Sequence, residues 1–140
     1  MKLEIDVSGA DIFQEAYSIC ISAENGKIKG FKFYERLITQ INENWKLGKY
    51  TKYPYKPKNQ GGFKARIYNA VIKLLLKEIF SGSNDNLIEV CFCRDFPGHE
   101  ESTKASLNHC IAKIYCKKVS KITCDKLPPS SDAHRYAKMM

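Results

Sequence analysis

Asn25-Gly26 lies between two runs of alternating apolar residues, and it limits the fold of this chain more tightly than any other short feature. On one side, Tyr17, Ile19 and Ile21 alternate with smaller side chains in AYSICIS, residues 16–22; on the other runs KIKGFKF, residues 27–33. Asn-Gly is the strongest short hairpin signal, because both central residues of a type I′ turn need positive φ. Two antiparallel strands follow at 16–22 and 27–33, with Gly30 marking a bulge. Upstream, Leu3, Ile5 and Val7 alternate with Glu4, Asp6 and Ser8, the period of a half-buried strand over 2–8. The chain therefore opens as a three-strand antiparallel meander.

Beyond residue 33 the apolar period lengthens. Tyr34, Leu37, Ile38, Ile41 and Trp45 share one helical face, and Phe63, Ile67, Val71, Leu74 and Leu75 form the buried stripe of a second helix over about 63–80. The segment between them, 48–62, is a polar and aromatic insertion loop. LIEVCFC, residues 87–93, is almost continuously apolar, as a central strand covered on both faces would be. A Pro97-Gly98 turn follows. Then come a helix over about 101–117 with Leu107, Cys110, Ile111 and Ile114 inward, a short strand KITCD at 121–125, and a last helix from about 131. Strands joined through helices are normally parallel with right-handed crossovers. The expectation is one α/β domain over 1–140: a five-stranded mixed sheet with helices packed on it.

Composition narrows the class. Twenty-three Lys and Arg against fifteen Asp and Glu leave a net charge of +8, which points to a polyanionic partner, nucleic acid first, or simply to a lysine-rich surface. No apolar run is long enough to cross a bilayer, and MKLEIDVSG lacks the apolar core of a signal peptide, so a cytoplasmic protein with no membrane contact is expected. The six cysteines include no C-x-x-C pair and sit mostly in strand or helix positions, which favours small buried hydrophobes over a zinc site. No G-x-S-x-G elbow marks a serine hydrolase.

Three acids stand at element ends. Asp6 closes the first strand in EIDVSG, Asp95 follows the apolar strand in CFCRDF, and Asp132 opens the last helix in SSDAHRYA. Each has a plain alternative: a strand-end turn for Asp6, turn initiation for Asp95, a helix N-terminal charge for Asp132. This order of elements, with an Asp in the first strand, resembles the ribonuclease H-like fold shared by ribonucleases H, junction resolvases and integrases. The resemblance implies that Asp6, Asp95 and Asp132 bind metal, with a fourth carboxylate from Glu35 early in the first helix or from Glu89 on the fourth strand. Glu35 is preferred, since Glu89 lies toward the start of its strand. Carboxylates crowded together need cations, and an all-oxygen set suits Mg²⁺ or Mn²⁺, two of which can cleave a phosphodiester. Gly9 would let a substrate backbone approach.

His134, two residues beyond Asp132, faces a different direction on a helix but can move protons; His99 in a turn and His109 beside a core cysteine are weaker candidates. In the loop and the helix start after it, Lys49, Lys52, Lys56, Lys58, Lys64 and Arg66 interleave with Tyr50, Tyr53 and Tyr55. Lysines contact phosphates and tyrosines stack on bases, which would make this loop a nucleic-acid clamp; alternatively, the tyrosines cover the edge of the domain. The leading expectation is a metal-dependent nuclease, with a homodimer implied by the resolvase likeness. The alternatives are a non-catalytic nucleic-acid-binding or assembly module and, more distantly, a small-molecule phosphohydrolase.

Overall fold

The computed structural model describes residues 1–14 and 16–140. Strands β1 (Lys2–Ser8), β2 (Ser18–Ala23), β3 (Ile28–Lys32), β4 (Leu87–Phe92) and β5 (Lys118–Cys124) form one mixed sheet in the order β3-β2-β1-β4-β5. β2 runs antiparallel to both β1 and β3, while β4 is parallel to β1 and to β5. Four α-helices accompany it among the described residues: α1 (Glu35–Lys46), α2 (Gln60–Phe80), α3 (Glu100–His109) and α4 (Asp132–Met139). This is the expected α/β architecture, with β1 at the centre of the sheet.

Alternation along β1 divides the sheet into two faces. Leu3 and Ile5 point to the main core, where they meet Ile19, Ile21, Ile88, Val90 and the inner face of α2. Glu4 and Asp6 point the other way, opposite Ser22 and Cys20. On that second face α4 lays Ala133 and Ala137 against Cys20 and Leu127. β2 is buried along its whole length because it is covered from both sides.

Several local expectations are corrected. The hairpin is not a two-residue type I′ turn: Gly26 N–H donates to the Ala23 carbonyl at 2.9 Å and Ala23 N–H to the Lys27 carbonyl at 2.8 Å. Only Gly26 takes positive φ, at 93°, so this is the three-residue loop in which a type I turn ends in a left-handed residue. Gly30 makes no bulge, since β2 and β3 pair in unbroken register through Cys20↔Gly30. A Cβ there would meet the Met140 side chain and, at 3.0 Å, the Tyr136 ring, so the glycine seats the end of α4. The register shift in the sheet lies instead between β4 and β5, at Ile88/Glu89.

α2 buries Phe63, Val71 and Leu75 of its predicted stripe, but its hidden face is broader. Tyr68, Ile72, Leu76 and Ile79 are its most buried residues, whereas Leu74 is 60% exposed. The third helix does not run unbroken to 117; its α-helical part ends at His109 and a π-helical turn over Cys110–Ile114 follows. β5 is longer than the motif KITCD suggested. The loop expected over 48–62 is shorter, since its last part is already a 3₁₀ turn (Pro57–Asn59) and the start of α2.

Candidate functional site

Asp6 is 6% exposed on the α4 face of β1, so its carboxylate needs partners inside the protein. Oδ1 accepts the Val7 N–H at 2.8 Å, and Oδ2 lies 2.7 Å from Nδ1 of His134. A carboxylate can only accept, so Nδ1 carries the proton of this bond. α4 is held on β1 at a second point, where Ser131 Oγ donates to Glu4 Oε1 at 3.3 Å. Three residues along a helix cover about 4.5 Å and two along a strand about 6.7 Å, so these two bonds fix both the position and the tilt of α4. The small side chains of Ala133 and Ala137 permit the close approach.

Cys93 N–H donates to the Ile5 carbonyl at 3.0 Å, which carries the β1–β4 ladder one residue past β4 and sets Cys93 beside Asp6. Asp95, two residues later and half-buried, accepts a hydrogen bond from the Tyr17 hydroxyl. Burial raises the Asp95 carboxyl above its ordinary range, and the charges of Asp6 and Asp11 add to the shift against the opposing pull of the Tyr17 bond. Burial first, then the bond to Asp95 and its charge, keep Tyr17 protonated far above neutral pH. Burial followed by the Asp6 charge likewise raises the Cys93 thiol. The Tyr68 hydroxyl, from the inner face of α2, is buried without a partner among the described residues. Burial raises it too, and both Asp95 and Asp6 contribute.

Gly9 serves this arrangement in an unexpected way. Its φ is +110°, and a Cβ would stand 3.1 Å from the Tyr17 Cα. It lets the chain leaving β1 pass over Tyr17.

Asp11 is the acid that sequence reasoning missed. Oδ1 accepts the Phe13 N–H at 3.0 Å and Oδ2 takes the Lys64 ammonium at 2.8 Å. Burial pushes its carboxyl up, but Lys64 and the Phe13 N–H together hold it below the usual value. The available signal was weak: an acid two residues before a backbone donor in a loop.

The remaining predicted acids stand elsewhere. Asp132 is exposed, pairs with Arg135 at 2.9 Å and faces a hollow with Lys2, Glu4 and Glu24, toward the start of β1. Glu35 lies on the solvent side of α1 with Arg36, Thr39 and Glu43. Glu89 is 3.9 Å from Lys2, four residues back from Asp6 along the sheet. Asp6 with His134, and Asp95 with Tyr17, therefore stand at the C-terminal ends of β1 and β4, near enough for the Asp6 charge to act on Asp95, and Asp132, Glu35 and Glu89 do not join them. Among the described residues, no group of three or more His, Cys, Asp or Glu is placed to hold a metal ion. Comparison with protein-family models, curated proteins and solved structures gives no match.

The basic loop has two parts with different fates. Lys49, Lys52, Lys56, Lys58 and Arg66 are exposed, whereas Lys64 is committed to Asp11. The tyrosines lie against aromatic neighbours. Tyr50 and Tyr53 lie 5.1 and 6.1 Å from the Phe63 ring, Tyr55 packs edge-on against Trp45 at 4.8 Å, and the Trp45 indole donates to the Tyr53 carbonyl. Tyr55 alone of the three is largely exposed. Among the described residues, no helix is long and apolar enough to cross a membrane.

Proposed function

We propose that this chain is a ribonuclease H-like, divalent-metal-dependent nuclease in which Asp6 and Asp95 hold the cation and His134 transfers a proton. The observation that carries the reading is the 2.7 Å bond between Asp6 and His134 at the same end of the sheet as Asp95. The strand order supports it, because β1 and β4 are parallel neighbours and crevices outside the carboxyl ends of such strands are where ligands bind.

The donor set fits a hard cation. Mg²⁺ is commonly held by one or two carboxylates, with water and substrate phosphate completing its shell. Burial and like charge make ionised Asp95 costly, and a cation relieves that cost. A bound Mg²⁺ or Mn²⁺ would polarise the phosphoryl oxygen and acidify a water. Asp6 fixes the His134 ring through Nδ1, which leaves Nε2 for the leaving oxygen. Tyr17 anchors Asp95 as a neutral donor. The original two-ion scheme needs a further acid at this spot, which Asp132, Glu35 and Glu89 do not supply, so the proposal is a site for one cation.

A second reading, a nucleic-acid-binding or assembly module without catalysis, is favoured by one observation: both carboxylates already have protein partners. Labelled single-stranded, duplex, hybrid and junction substrates separate the two in the presence of Mg²⁺, Mn²⁺ or EDTA. Metal-dependent cleavage lost in Asp6→Asn and in His134→Ala, with binding retained, supports the nuclease. Binding without cleavage on every substrate favours the module, and no binding at low salt removes both. Sedimentation with and without a junction substrate tests the homodimer.

A further inference from the structure

α1 does not close onto α2. Between them lies an open groove of about 510 Å³, with Leu37 and Ile41 on one wall, Ile67 and Val71 on the other, Phe31 of β3 at the base and Tyr50 over the end. Its size falls within the roughly 300–1,000 Å³ of small-molecule sites, which are mostly apolar with a few polar groups at the margin. Leu74, 60% exposed, stands on its rim.

The charges at the mouth are all of one sign. Among the described residues, Lys49, Lys52 and Arg66 line the groove and no acid does. No ion pair of these three is found among the described residues, although Lys64, two residues before Arg66 on α2, is paired with Asp11. Uncharged polar side-chain groups are few in the lining: the hydroxyls of Tyr50, Thr51 and Tyr53, against the aliphatic Leu37, Ile41, Ile67, Val71 and Leu74. A nucleobase would have only these three to meet the several donors and acceptors of its edges, whereas a hydrocarbon needs none. Hydrocarbon fits the walls and an anion fits the mouth.

The geometry points to a binding site for an amphipathic anion, a hydrocarbon body carrying a single carboxylate or phosphate head. The body lies along Leu37, Ile41 and Ile67, and the head meets Lys52 and Arg66. This site is independent of the Asp6–His134 centre.

The test is titration calorimetry on the full chain with decanoate and decyl phosphate as the two head groups, and decanol and decylammonium as controls. Both acids are expected to bind saturably, with decanol weaker by about tenfold, the worth of one charge-assisted contact. Ala70→Trp, which fills the groove from an exposed position of α2, abolishes binding. Leu74→Trp serves as the second variant should the first alter the thermal midpoint. Lys52→Ala/Arg66→Ala weakens the acids but leaves decanol unchanged. A preference for one acid over the other identifies the head group. The inference is overturned if the acids do not saturate or if the tryptophan variants bind them normally. It is equally overturned if decanol matches decanoate, or if an acidic amphipathic helical peptide binds this groove while decanoate does not. Each readout is binding, so the result leaves the nuclease proposal untouched.

Discussion

At Asp95 a carboxylate is held where burial, Asp6 and Asp11 all oppose its charge, and only the Tyr17 hydroxyl favours it. Because the folded pKa is raised, protonated Asp95 binds more favourably in the folded chain than in the unfolded one. The associated stability is complete below the unfolded value of about 3.9 and is lost as pH rises through the folded value. At neutral pH the ionised side chain therefore destabilises the fold. Asp95→Asn keeps an acceptor for Tyr17 and removes the charge, so urea unfolding at pH 7 should show a gain of about 0.5–1 kcal/mol, the size usual when a functional constraint is relaxed. The gain should shrink toward pH 4. A loss at pH 7, or a gain that does not vary with pH, would show that the charge is not what is opposed. Cys116 offers a purely conformational counterpart: it is exposed and sits at φ 54°, where a non-glycine residue loses about 1–2 kcal/mol. Cys116→Gly recovers this less the extra entropy of glycine, so denaturant melts should shift upward by about 0.5 kcal/mol.

Among the elements, α4 decides whether His134 reaches Asp6, and its seat depends on the absence of a side chain at Gly30. Gly30→Ala would ordinarily help a strand. Here it presses on Met140 and Tyr136 and should cost about 0.5–1 kcal/mol, the coupling expected of residues in contact. In a Met140→Ala background much of that cost should vanish. A double-mutant cycle by thermal unfolding measures it, and equal costs in both backgrounds would mean that the C-terminal turn of α4 is not seated there. The contrast in what could be read beforehand follows from range. β1, the hairpin pairing and α1 were legible because period and turn chemistry are local. The positions of Asp6 and Asp95 at strand ends were legible because a strand end is a local feature. The bonds that make the site join residues 128 and 78 positions apart, Asp6 with His134 and Tyr17 with Asp95, and no local pattern carries that information. Asp132 and His134 were both candidates, Asp132 from motif position and His134 as a proton carrier, yet only His134 is turned toward β1 by the two bonds that seat α4. The buried face of α2 is broader than its predicted stripe for a related reason. A helix covered on more than one side hides a broad face, and Tyr68 was invisible as a core residue.

For the molecule as a whole, the net charge of +8 sets the strength of any nucleic-acid contact, and the structure sorts which lysines can contribute. A cation already paired with a carboxylate releases few counterions on meeting a phosphate, whereas a free one releases nearly its full share. Lys52, Lys56 and Lys58 are exposed, but Lys64 is held by Asp11 at 2.8 Å. On duplex DNA each phosphate contact contributes about 0.9 to the slope of log K against log salt. Replacing Lys52, Lys56 and Lys58 by Ala together should therefore lower the magnitude of the slope by about 2–3 and weaken binding evenly across sequences. Lys64→Ala should leave the slope nearly unchanged while costing about 0.5–1 kcal/mol of stability, as a partly exposed ion pair does. Fluorescence anisotropy at several salt concentrations, paired with denaturant melts, reads both quantities. If Lys64 moves the slope as much as its neighbours do, the Asp11 pair opens when nucleic acid binds. Asp11 would then stand without its counter-charge, and its negative charge would bear on Asp95 uncompensated.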